Sequence, residues 1–549
     1  ETEIYVDLLE TQVWFNWTIT EDVKNSKDGF LTEILSASGG ESIFFCSRET
    51  SLSPYLNVTY SQQVGGYISE DTTWTLEGGP YIVVEDVVVE SGVTLTVEPG
   101  VVVKFTSGTN LIIDGALAAE GNTTHLITFT SNSTTSVPGD WGTILFRQST
   151  VESLINWATV EYGTIGITIA GGKARIEKAI ISKNQQGLSL TKCSITIEES
   201  FIVHNNGRGI YADDEASVTL VDVVISDNGG DGIWTGDSAE SVTIRKSAII
   251  NNHENGISII SSDESWIIQN SLISNNSGNG IYAWACLAPL YISDSNISHN
   301  NEAGIYRAKY NHGLVGSDEI VKSIISENKN SGIHTYEPLL IHYCNIRENT
   351  PYDLRNSGFS DIDATHNWWG TTNETAIEEY IYDYYDDYNS GKVFYKPYLV
   401  PPVANFTFSP ETSYVCGILT FDASASFNPY GSSINYTWNF DDGNVTTTTS
   451  PLITHIYTTP DDYNVTLTVT NEFGLTNSTS AIVTVLQDDT PPTTSDDYDG
   501  AWHTADFTIT LTATGNESGV AETYYKINEG LIQNVSAHGQ PHITTESAN

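Results

Sequence analysis

One short pattern, I-x-x-N-x-x-x-G-I, recurs through the middle of the chain and constrains the fold more than any other feature. The clear copies occupy residues 202–210, 225–233, 249–257, 273–281, 297–305 and 325–333. Degenerate copies flank them, at Ile180, Gly187 and Leu188 on one side and at Ile346, Asn349 and Leu354 on the other. Between copies the chain offers short β-branched runs and no helical periodicity. Such a repeat is typical of a solenoid of stacked parallel strands.

The residues that recur in every copy of the pattern are expected to have separate structural roles. The Ile residues are expected to point into the core, with equivalent positions on adjacent coils about 4.8 Å apart. The Gly is expected to adopt backbone angles closed to other residues. The Asn side chains should hydrogen bond from coil to coil as a structural ladder, formed by Asn205, Asn228, Asn252, Asn276, Asn300, Asn328 and Asn349.

Segments outside the repeat resemble the ends of a known fold. VTLTVEPGVVVKF, LIIDGALAAEG, ITFTS and PGDWGTILF, at 93–105, 111–121, 127–131 and 138–146, resemble the opening coils of secreted right-handed parallel β-helix proteins. DATHNWWGT at 363–371 and YNSGKVFYKPYL at 388–399 resemble the closing coils of the same group. That group includes periplasmic copper-binding repeat proteins and archaeal and bacterial surface proteins. The resemblance implies a right-handed parallel β-helix over residues 67–400.

A different pattern follows Pro401 and Pro402. FDASASFNP, YTWNFDDG and YNVTLTVTNEFG, at 421–429, 436–443 and 463–474, resemble a PKD domain, a small β-sandwich of archaeal and bacterial surfaces. The alternating Val465, Leu467 and Val469 independently predict a half-buried strand. We therefore predict a PKD domain at 401–487.

Both ends of the chain resemble incomplete domains. Residues 1–66 resemble the second half of a DNRLRE jelly roll, and residues 488–549 an Ig-like surface repeat without its last strand. Position 1 is Glu rather than Met. Two explanations are open: the chain is a segment of a longer modular protein, or another copy supplies the missing strands by strand addition. The second would make the protein self-associate.

The charge balance excludes several classes of function. The chain has 69 Asp and Glu against 22 Lys and Arg, a formal net charge of -47. This is incompatible with nucleic-acid binding and disfavours anionic membranes. No apolar run long enough for a transmembrane segment occurs. Together with many sequons, the acidic surface favours an extracellular, cell-surface glycoprotein, with candidate glycosylation sites at Asn16, Asn57, Asn122, Asn132, Asn275, Asn296, Asn373, Asn405, Asn435, Asn444, Asn464, Asn477, Asn516 and Asn534.

The candidate chemistry lies just after the Gly-Ile corners. Asp213, Asp214, Asp237 and Asp263 follow this corner on three adjacent coils and form a candidate calcium site. The alternative is a solvated acidic turn. If the chain instead cleaves polysaccharide, these four carboxylates are its candidate catalytic residues, with bases chosen from Arg208, Arg245 and Lys246.

Other reactive side chains are poorly placed for shared chemistry. His204 and His299 share a coil offset but lie four coils apart, so they cannot bind one ion. Cys193 and Cys286 are separated in the same way and cannot form a disulfide. The Tyr-rich segment 380–388 is interpreted as the cap of the last coil, with a sugar-stacking platform as the alternative.

The sequence thus predicts an all-β chain in which a right-handed parallel β-helix is flanked by β-sandwich modules. The favoured function is structural or adhesive, as a rigid spacer in a surface layer, sheath or filament without a catalytic site. The alternative is a protein that binds or cleaves polysaccharide. Expected partners are further copies, other surface proteins or a polysaccharide, and calcium is the one candidate cofactor.

Overall fold

The computed structural model describes most of the chain from residue 61 onward and three earlier strands. These strands, β1 (Glu3–Leu8), β2 (Val13–Thr18) and β3 (Leu56–Thr59), pair antiparallel in the order β2-β1-β3. The rest of the predicted jelly roll lies outside the described residues. Beyond residue 61, the described part ends at 543 and omits 237–240, 262–264, 287–288, 309–317, 432–433, 488, 490–491, 502–504, 516–519, 521, 527–530, 537 and 540–541.

Residues 1–399 and 400–549 form two compact units. In the first, the early coils are built from β4 (Gln62–Ile68), β5 (Thr72–Trp74), β6 (Tyr81–Val89), β7 (Thr94–Val97), β8 (Val102–Phe105), β9 (Leu111–Ile113), β10 (Ala116–Glu120), β11 (Ile127–Ser131), β12 (Ile144–Asn156), β13 (Ala158–Glu161), β14 (Ile165–Glu177), β15 (Ile180–Ser182) and β16 (Gln186–Glu198).

The repeat coils follow with shorter strands. They are β17 (Phe201–Val203), β18 (Ile210–Asp213), β19 (Ser217–Val221), β20 (Val224–Ser226), β21 (Ile233–Thr235), β22 (Val242–Arg245), β23 (Ala248–Ile250), β24 (Ile257–Ile260), β25 (Trp266–Gln269), β26 (Leu272–Ser274), β27 (Ile281–Trp284), β28 (Leu290–Ser293), β29 (Asn296–Ser298), β30 (Ile305–Ala308), β31 (Asp318–Val321), β32 (Ile324–Ser326), β33 (Ile333–Thr335), β34 (Leu339–His342), β35 (Asn345–Arg347), β36 (Leu354–Asn356), β37 (Ile362–Asp363), α1 (Glu374–Glu379), β38 (Ile381–Tyr382) and β39 (Val393–Phe394).

These strands form about 13 turns of a right-handed parallel β-helix with three faces. Sheet 1 follows each Gly-Ile corner and contains β18, β21, β24, β27, β30, β33, β36 and β38. Sheet 2 contains β19, β22, β25, β28, β31, β34, β37 and β39, and sheet 3 contains β17, β20, β23, β26, β29, β32 and β35. In the early coils, long strands such as β14 and β16 turn a corner and belong to two sheets. The predicted fold class is confirmed.

On most strands inward positions alternate with outward ones, so the inward apolar side chains of successive coils stack on one another. The core cluster is continuous from Trp74 to Val393 and consists mainly of Ile, Val and Leu. The parallel sheet begins at β4, before the predicted start at residue 67, because Gln62–Val64 already pair with Tyr81–Val83.

The repeat glycines have a different role from the predicted one. None of Gly209, Gly232 and Gly256 has a φ between +20° and +160°. A Cβ at Gly232 would lie 2.6 Å from the carbonyl oxygen of Gly256 on the next coil, so glycine is required by space. The left-handed conformation instead falls on the residue before each ladder Asn, as at His204 with φ 56°. The prediction of unusual glycine backbone angles is therefore wrong for these positions.

The second unit begins with a sandwich of two antiparallel-rich sheets. One has the order β40-β42-β45 and the other β41-β47-β46-β43-β44. Phe421, Trp438, Phe440 and Tyr457 are buried between them. The strands are β40 (Thr407–Ser409), β41 (Ser413–Tyr414), β42 (Ile418–Asp422), β43 (Ile434–Asn439), β44 (Val445–Thr448), β45 (Leu452–Ile456), β46 (Asp461–Asn471) and β47 (Thr476–Leu486).

Short antiparallel strands follow the sandwich. They are β48 (Thr493–Asp496), β49 (Phe507–Thr508), β50 (Leu511–Thr514), β51 (Glu522–Tyr525), β52 (Gln533–Ser536), β53 (His538–Gly539) and β54 (His542–Ile543). Among the described residues, no helix has the length and apolarity needed to span a membrane.

Candidate functional site

The seven predicted ladder Asn residues form one buried column at the corner between sheets 3 and 1. Each Nδ2 donates to Oδ1 of the next ladder residue, at 2.9 to 3.0 Å. Each Nδ2 also donates to a main-chain carbonyl one coil back, as Asn252 does to Ile225. The Asn252 main-chain N–H donates to the same Oδ1 of Asn276. Buried polar groups are costly unless they are paired. Here the side-chain amide of each ladder Asn pairs with that of the ladder Asn on the next coil.

The ladder extends one residue further at each end than the sequence pattern indicates. Asn184 donates to Asn205 Oδ1 at 3.1 Å, because the register pairs Ile181, rather than Ile180, with Ile202. At the other end, Asn349 donates to Oδ1 of Asp353 at 2.9 Å. Burial raises the pKa of Asp353 to about 6, although the hydrogen bonds from Asn349 lower it. Asp353 stands at the position that glycine occupies in the clear repeats.

A second polar column was missed by the sequence analysis. At the corner between sheets 2 and 3, the main-chain N–H of Ser247 donates to Ser271 Oγ, and that of Ser271 to Ser295 Oγ. Ser323 and Cys344 continue the column. A serine two residues before the first Ile of the repeat is the signal that could have revealed it.

Sheet 1 presents aromatic side chains outward on several successive coils. Tyr211 stacks on Trp234 with ring centroids 4.8 Å apart and planes at 9°. Tyr282 stacks on Tyr306 at 5.2 Å and 7°, and the Arg208 guanidinium lies 4.5 Å from the Trp234 ring centroid. The faces of these rings therefore pack against one another, and the Trp234 ring also packs against Arg208.

The predicted acidic site is only partly within the described residues. Asp213 accepts a hydrogen bond from the Tyr211 hydroxyl at 3.0 Å and another from the Asp214 main chain at 2.8 Å. Asp214 forms an exposed ion pair with Lys192 at 3.2 Å. Asp237 and Asp263 lie outside the described residues. In the part that is described, no three His, Cys, Asp or Glu side chains form a group able to hold a metal ion.

The candidate bases are engaged in other contacts or lie at a corner. Arg208 lies 3.4 Å from Asp231, and Arg245 donates to Gln269. Lys246 is the left-handed residue of a corner between sheets 2 and 3, with φ 50°. The contacts of Arg208 and Arg245 join neighbouring coils.

The histidines and cysteines lie at separate places in the solenoid. His204 and His299 both occupy the left-handed corner position, on different coils. Cys193 and Cys286 are buried and form no disulfide, and burial raises the pKa of Cys193 to about 12. A buried thiol with so high a pKa is a poor nucleophile.

A pocket opens where the solenoid ends. Strands β38 and β39 pair with an earlier coil only, among the described residues. The pocket has a volume of about 450 Å³. It is lined by Glu378, Ile381, Asp383, Tyr385, Asp386, Lys392, Val393, Phe394, Tyr395 and Lys396.

Part of the Tyr-rich segment therefore borders a pocket. Tyr385 lines it with a side chain that is 78% exposed, and Ile381 and Val393 at the end of the core contribute apolar lining. Asp383 is buried and accepts hydrogen bonds from the main-chain N–H groups of Tyr385 and Val393. These bonds fix the loop that carries Tyr385 against β39.

The candidate glycosylation sites differ in accessibility. Asn296 is half-buried, Asn516 lies outside the described residues, and the side chains of Asn16 and Asn57 are not described. The exposed ones are Asn122, Asn132, Asn275, Asn373, Asn405, Asn435, Asn444, Asn464, Asn477 and Asn534.

Family models match separate parts of the chain. Residues 142–288 match the right handed beta helix region, and residues 66–190 match the pectate-lyase like beta helix domain. Residues 399–486 match the PKD domain. The chain therefore combines right-handed β-helix regions with a PKD domain. No curated protein matches it.

Solved structures resemble the chain at low identity. A carbohydrate-binding module of the beta-sandwich superfamily is 28% identical over 25% of this chain, with a TM-score of 0.17, and this chain covers 54% of that structure. The periplasmic alginate epimerase AlgG is 12% identical, with coverage of 52% and 80% and a TM-score of 0.37. The receptor-binding protein of bacteriophage Det7 is 12% identical, with coverage of 77% and 98% and a TM-score of 0.27. At these TM-scores the likenesses carry no functional argument.

Proposed function

We propose that this chain is an extracellular, adhesive cell-surface protein whose β-helix acts as a rigid spacer. The observation that carries the proposal is the stack of about 13 coils, joined by one continuous core and, from Asn184 to Asn349, by the Asn ladder. At about 4.8 Å per coil, such a stack is roughly 60 Å long.

Stiffness follows from the way each coil is joined to the next. A bend would have to separate strands that are paired on all three faces. It would also break hydrogen bonds between buried Asn side chains, which have no water nearby to serve as a new partner. The PKD domain, the acidic composition and the exposed sequons fit a protein that works outside the cell.

Force spectroscopy on the full chain tests the spacer. A coil of about 24 residues releases roughly 80 Å of extended chain, so the β-helix should resist load and then lengthen in steps of one or a few coils. Extension at low force without steps would contradict the proposal. Protease digestion of intact cells tests the location, because a surface protein should be cut while an internal control protein is not.

A second candidate function, action on polysaccharide, is favoured by the pectate-lyase-like model over residues 66–190. It predicts calcium-dependent cleavage of uronic acid polymers that is lost when Asp213, Asp214, Asp237 and Asp263 are replaced by Ala. A matched control replaces the exposed Glu70, Glu77 and Glu90, which lie on early coils. If the unsubstituted chain cleaves none of these polymers, this candidate fails.

A further inference from the structure

The pocket at the last coil combines chemical groups that the spacer role does not require. It has exposed aromatic side chains at Tyr385 and Phe394, which are 78% and 52% exposed. Large apolar groups that remain exposed beside a concave site often mark a binding surface. The volume of about 450 Å³ lies in the range typical of small-ligand pockets.

The charges that line the pocket restrict its ligand. Three carboxylates, of Glu378, Asp383 and Asp386, line the pocket with Lys392 and Lys396. The Lys396 ammonium pairs with Glu374 outside the lining, at 2.8 Å, so the carboxylates of the pocket are in excess. With the chain at a net charge of -47, this balance repels anions such as uronates or sulfated sugars. Lys392 forms no ion pair with any described residue, and its Nζ lies 5.3 Å from the Tyr384 ring centroid. Because this ammonium also lies over the Tyr385 ring, 5.7 Å from its centroid, it would repel a cationic group placed on that ring.

The same groups suit a ligand rich in hydroxyl groups. Asp386 uses Oδ2 to accept the main-chain N–H of Asp383, and Glu378 uses Oε1 to accept the Tyr395 hydroxyl at 2.8 Å. The other oxygen of each carboxylate has no hydrogen-bond partner among the described residues. These oxygens can accept from sugar hydroxyls, and the Lys392 ammonium can donate to them.

The side of the exposed Tyr385 ring that is turned away from Lys392 supplies the remaining contact. An aromatic ring is negative over its face, and the C–H groups on one side of a pyranose ring are weakly positive, so the two surfaces attract. The outward aromatic rings of sheet 1 are less suited to this contact, because Tyr211 with Trp234 and Tyr282 with Tyr306 already stack face to face.

We infer that the pocket at the end of the solenoid binds a neutral pyranose residue of a glycan, with Tyr385 as the stacking platform. Asp386 and Glu378 accept from its hydroxyls, and Lys392 donates to them. This inference names a partner for the proposed adhesive role but rests on the pocket alone. The spacer can be stiff whether or not the pocket binds sugar.

Calorimetric titration of the full chain with neutral, uronate and amino-sugar oligosaccharides tests the inference. Neutral oligosaccharides should bind most tightly. Tyr385→Ala should weaken binding about tenfold or more, and Asp386→Asn by a smaller factor. Tyr388→Ala is the matched control, because Tyr388 is 85% exposed in the same segment but does not line the pocket. It should leave the affinity unchanged, and all variants should keep the parent melting temperature.

Several results would overturn the inference. These are no binding of any neutral oligosaccharide at millimolar concentration, tighter binding of uronates or amino sugars, or binding that Tyr385→Ala leaves intact. A dimer that Tyr385→Ala dissociates would show that a second copy, rather than a glycan, occupies the pocket. None of these results would change the force required to extend the β-helix, so failure of the pocket and failure of the spacer are separable.

Discussion

In the β-helix each coil packs only against the coils directly before and after it, whereas the sandwich buries one aromatic cluster drawn from strands far apart in sequence. The hydrogen bonds of the Asn ladder join residues 21 to 28 positions apart, and each coil makes the same bond to the next. In the sandwich, Trp438 contacts Phe406, Phe421 and Phe440 within a single cluster. The solenoid should therefore tolerate local damage, while the sandwich should lose its structure as a unit.

The largest effect is expected at the centre of the sandwich. Trp438 is fully buried, so Trp438→Ala should cost about 3 to 5 kcal/mol of unfolding free energy. Hydrogen exchange of the full chain should show faster exchange throughout residues 400–486 and no change within 66–399. Protection lost only next to position 438 would contradict the contrast between the two regions.

A substitution in the middle of the ladder should have a large but confined effect. Asn252→Ala removes the Oδ1 that accepts from the main-chain N–H and from Nδ2 of Asn228, so these buried N–H groups lose that partner. Asn276 Oδ1 keeps the main-chain N–H of residue 252. Each buried N–H group that loses its partner costs about 1 to 3 kcal/mol. Exchange should accelerate in the coils around residues 228–276 only. Glu254→Ala, which changes an exposed residue of the same coil without a left-handed backbone, is the matched control.

The end of the ladder gives a test that depends on pH. Burial raises the pKa of Asp353 to about 6, from 3.8 in the absence of the fold. Its contribution to stability is therefore complete below pH 4 and is lost as the pH rises through 6. The loss is roughly 3 kcal/mol in free energy of unfolding. Asp353→Asn keeps an acceptor for Asn349 without the charge.

We expect Asp353→Asn to raise the melting temperature at pH 8 and to leave it nearly unchanged at pH 4. Thermal unfolding of the parent and variant chains at both pH values measures this difference. Equal effects at both pH values would show that the fold does not raise the pKa of this carboxyl.

The serine column should show the smallest effect. Ser271→Ala removes one acceptor for the Ser247 main-chain N–H and one donor to the Gln269 carbonyl. The expected cost is about 1 kcal/mol, measured by denaturant unfolding. A cost as large as that of Asn252→Ala would mean that the two corner columns stabilise the coils equally.

The sequence predicts the coils well because Ile, Asn and Gly recur where the fold repeats. It predicts less about features that occur once. The serine column is interrupted by Val223 and Cys344, so its spacing is hidden among other serines. The last acceptor of the ladder is not an Asn at the ladder position. It is Asp353, which stands at the glycine position of the repeat and accepts from Asn349.

A contact that occurs in only one coil also leaves no periodic signal in the sequence. Arg307 occupies an inward position, and its Nε donates to Asp318 Oδ2 at 2.6 Å, with both side chains almost fully buried. Such an ion pair is stable only if each charge has its partner. The pocket at the last coil depends in the same way on one loop, held by Asp383, whose position no repeat specifies.

The Asn ladder also has a direction. From Asn184 to Asn328, each side-chain amide donates one N–H to the Oδ1 of the ladder Asn on the next coil, and no ladder amide donates to the Oδ1 of an earlier one. The aligned amide dipoles therefore add, with the negative pole at Asn184 and the positive pole at Asn349, where the Asp353 oxygen accepts the last bond. A ladder with one direction ends on a donor, so its last coil needs an acceptor, which the Asp353 carboxyl supplies.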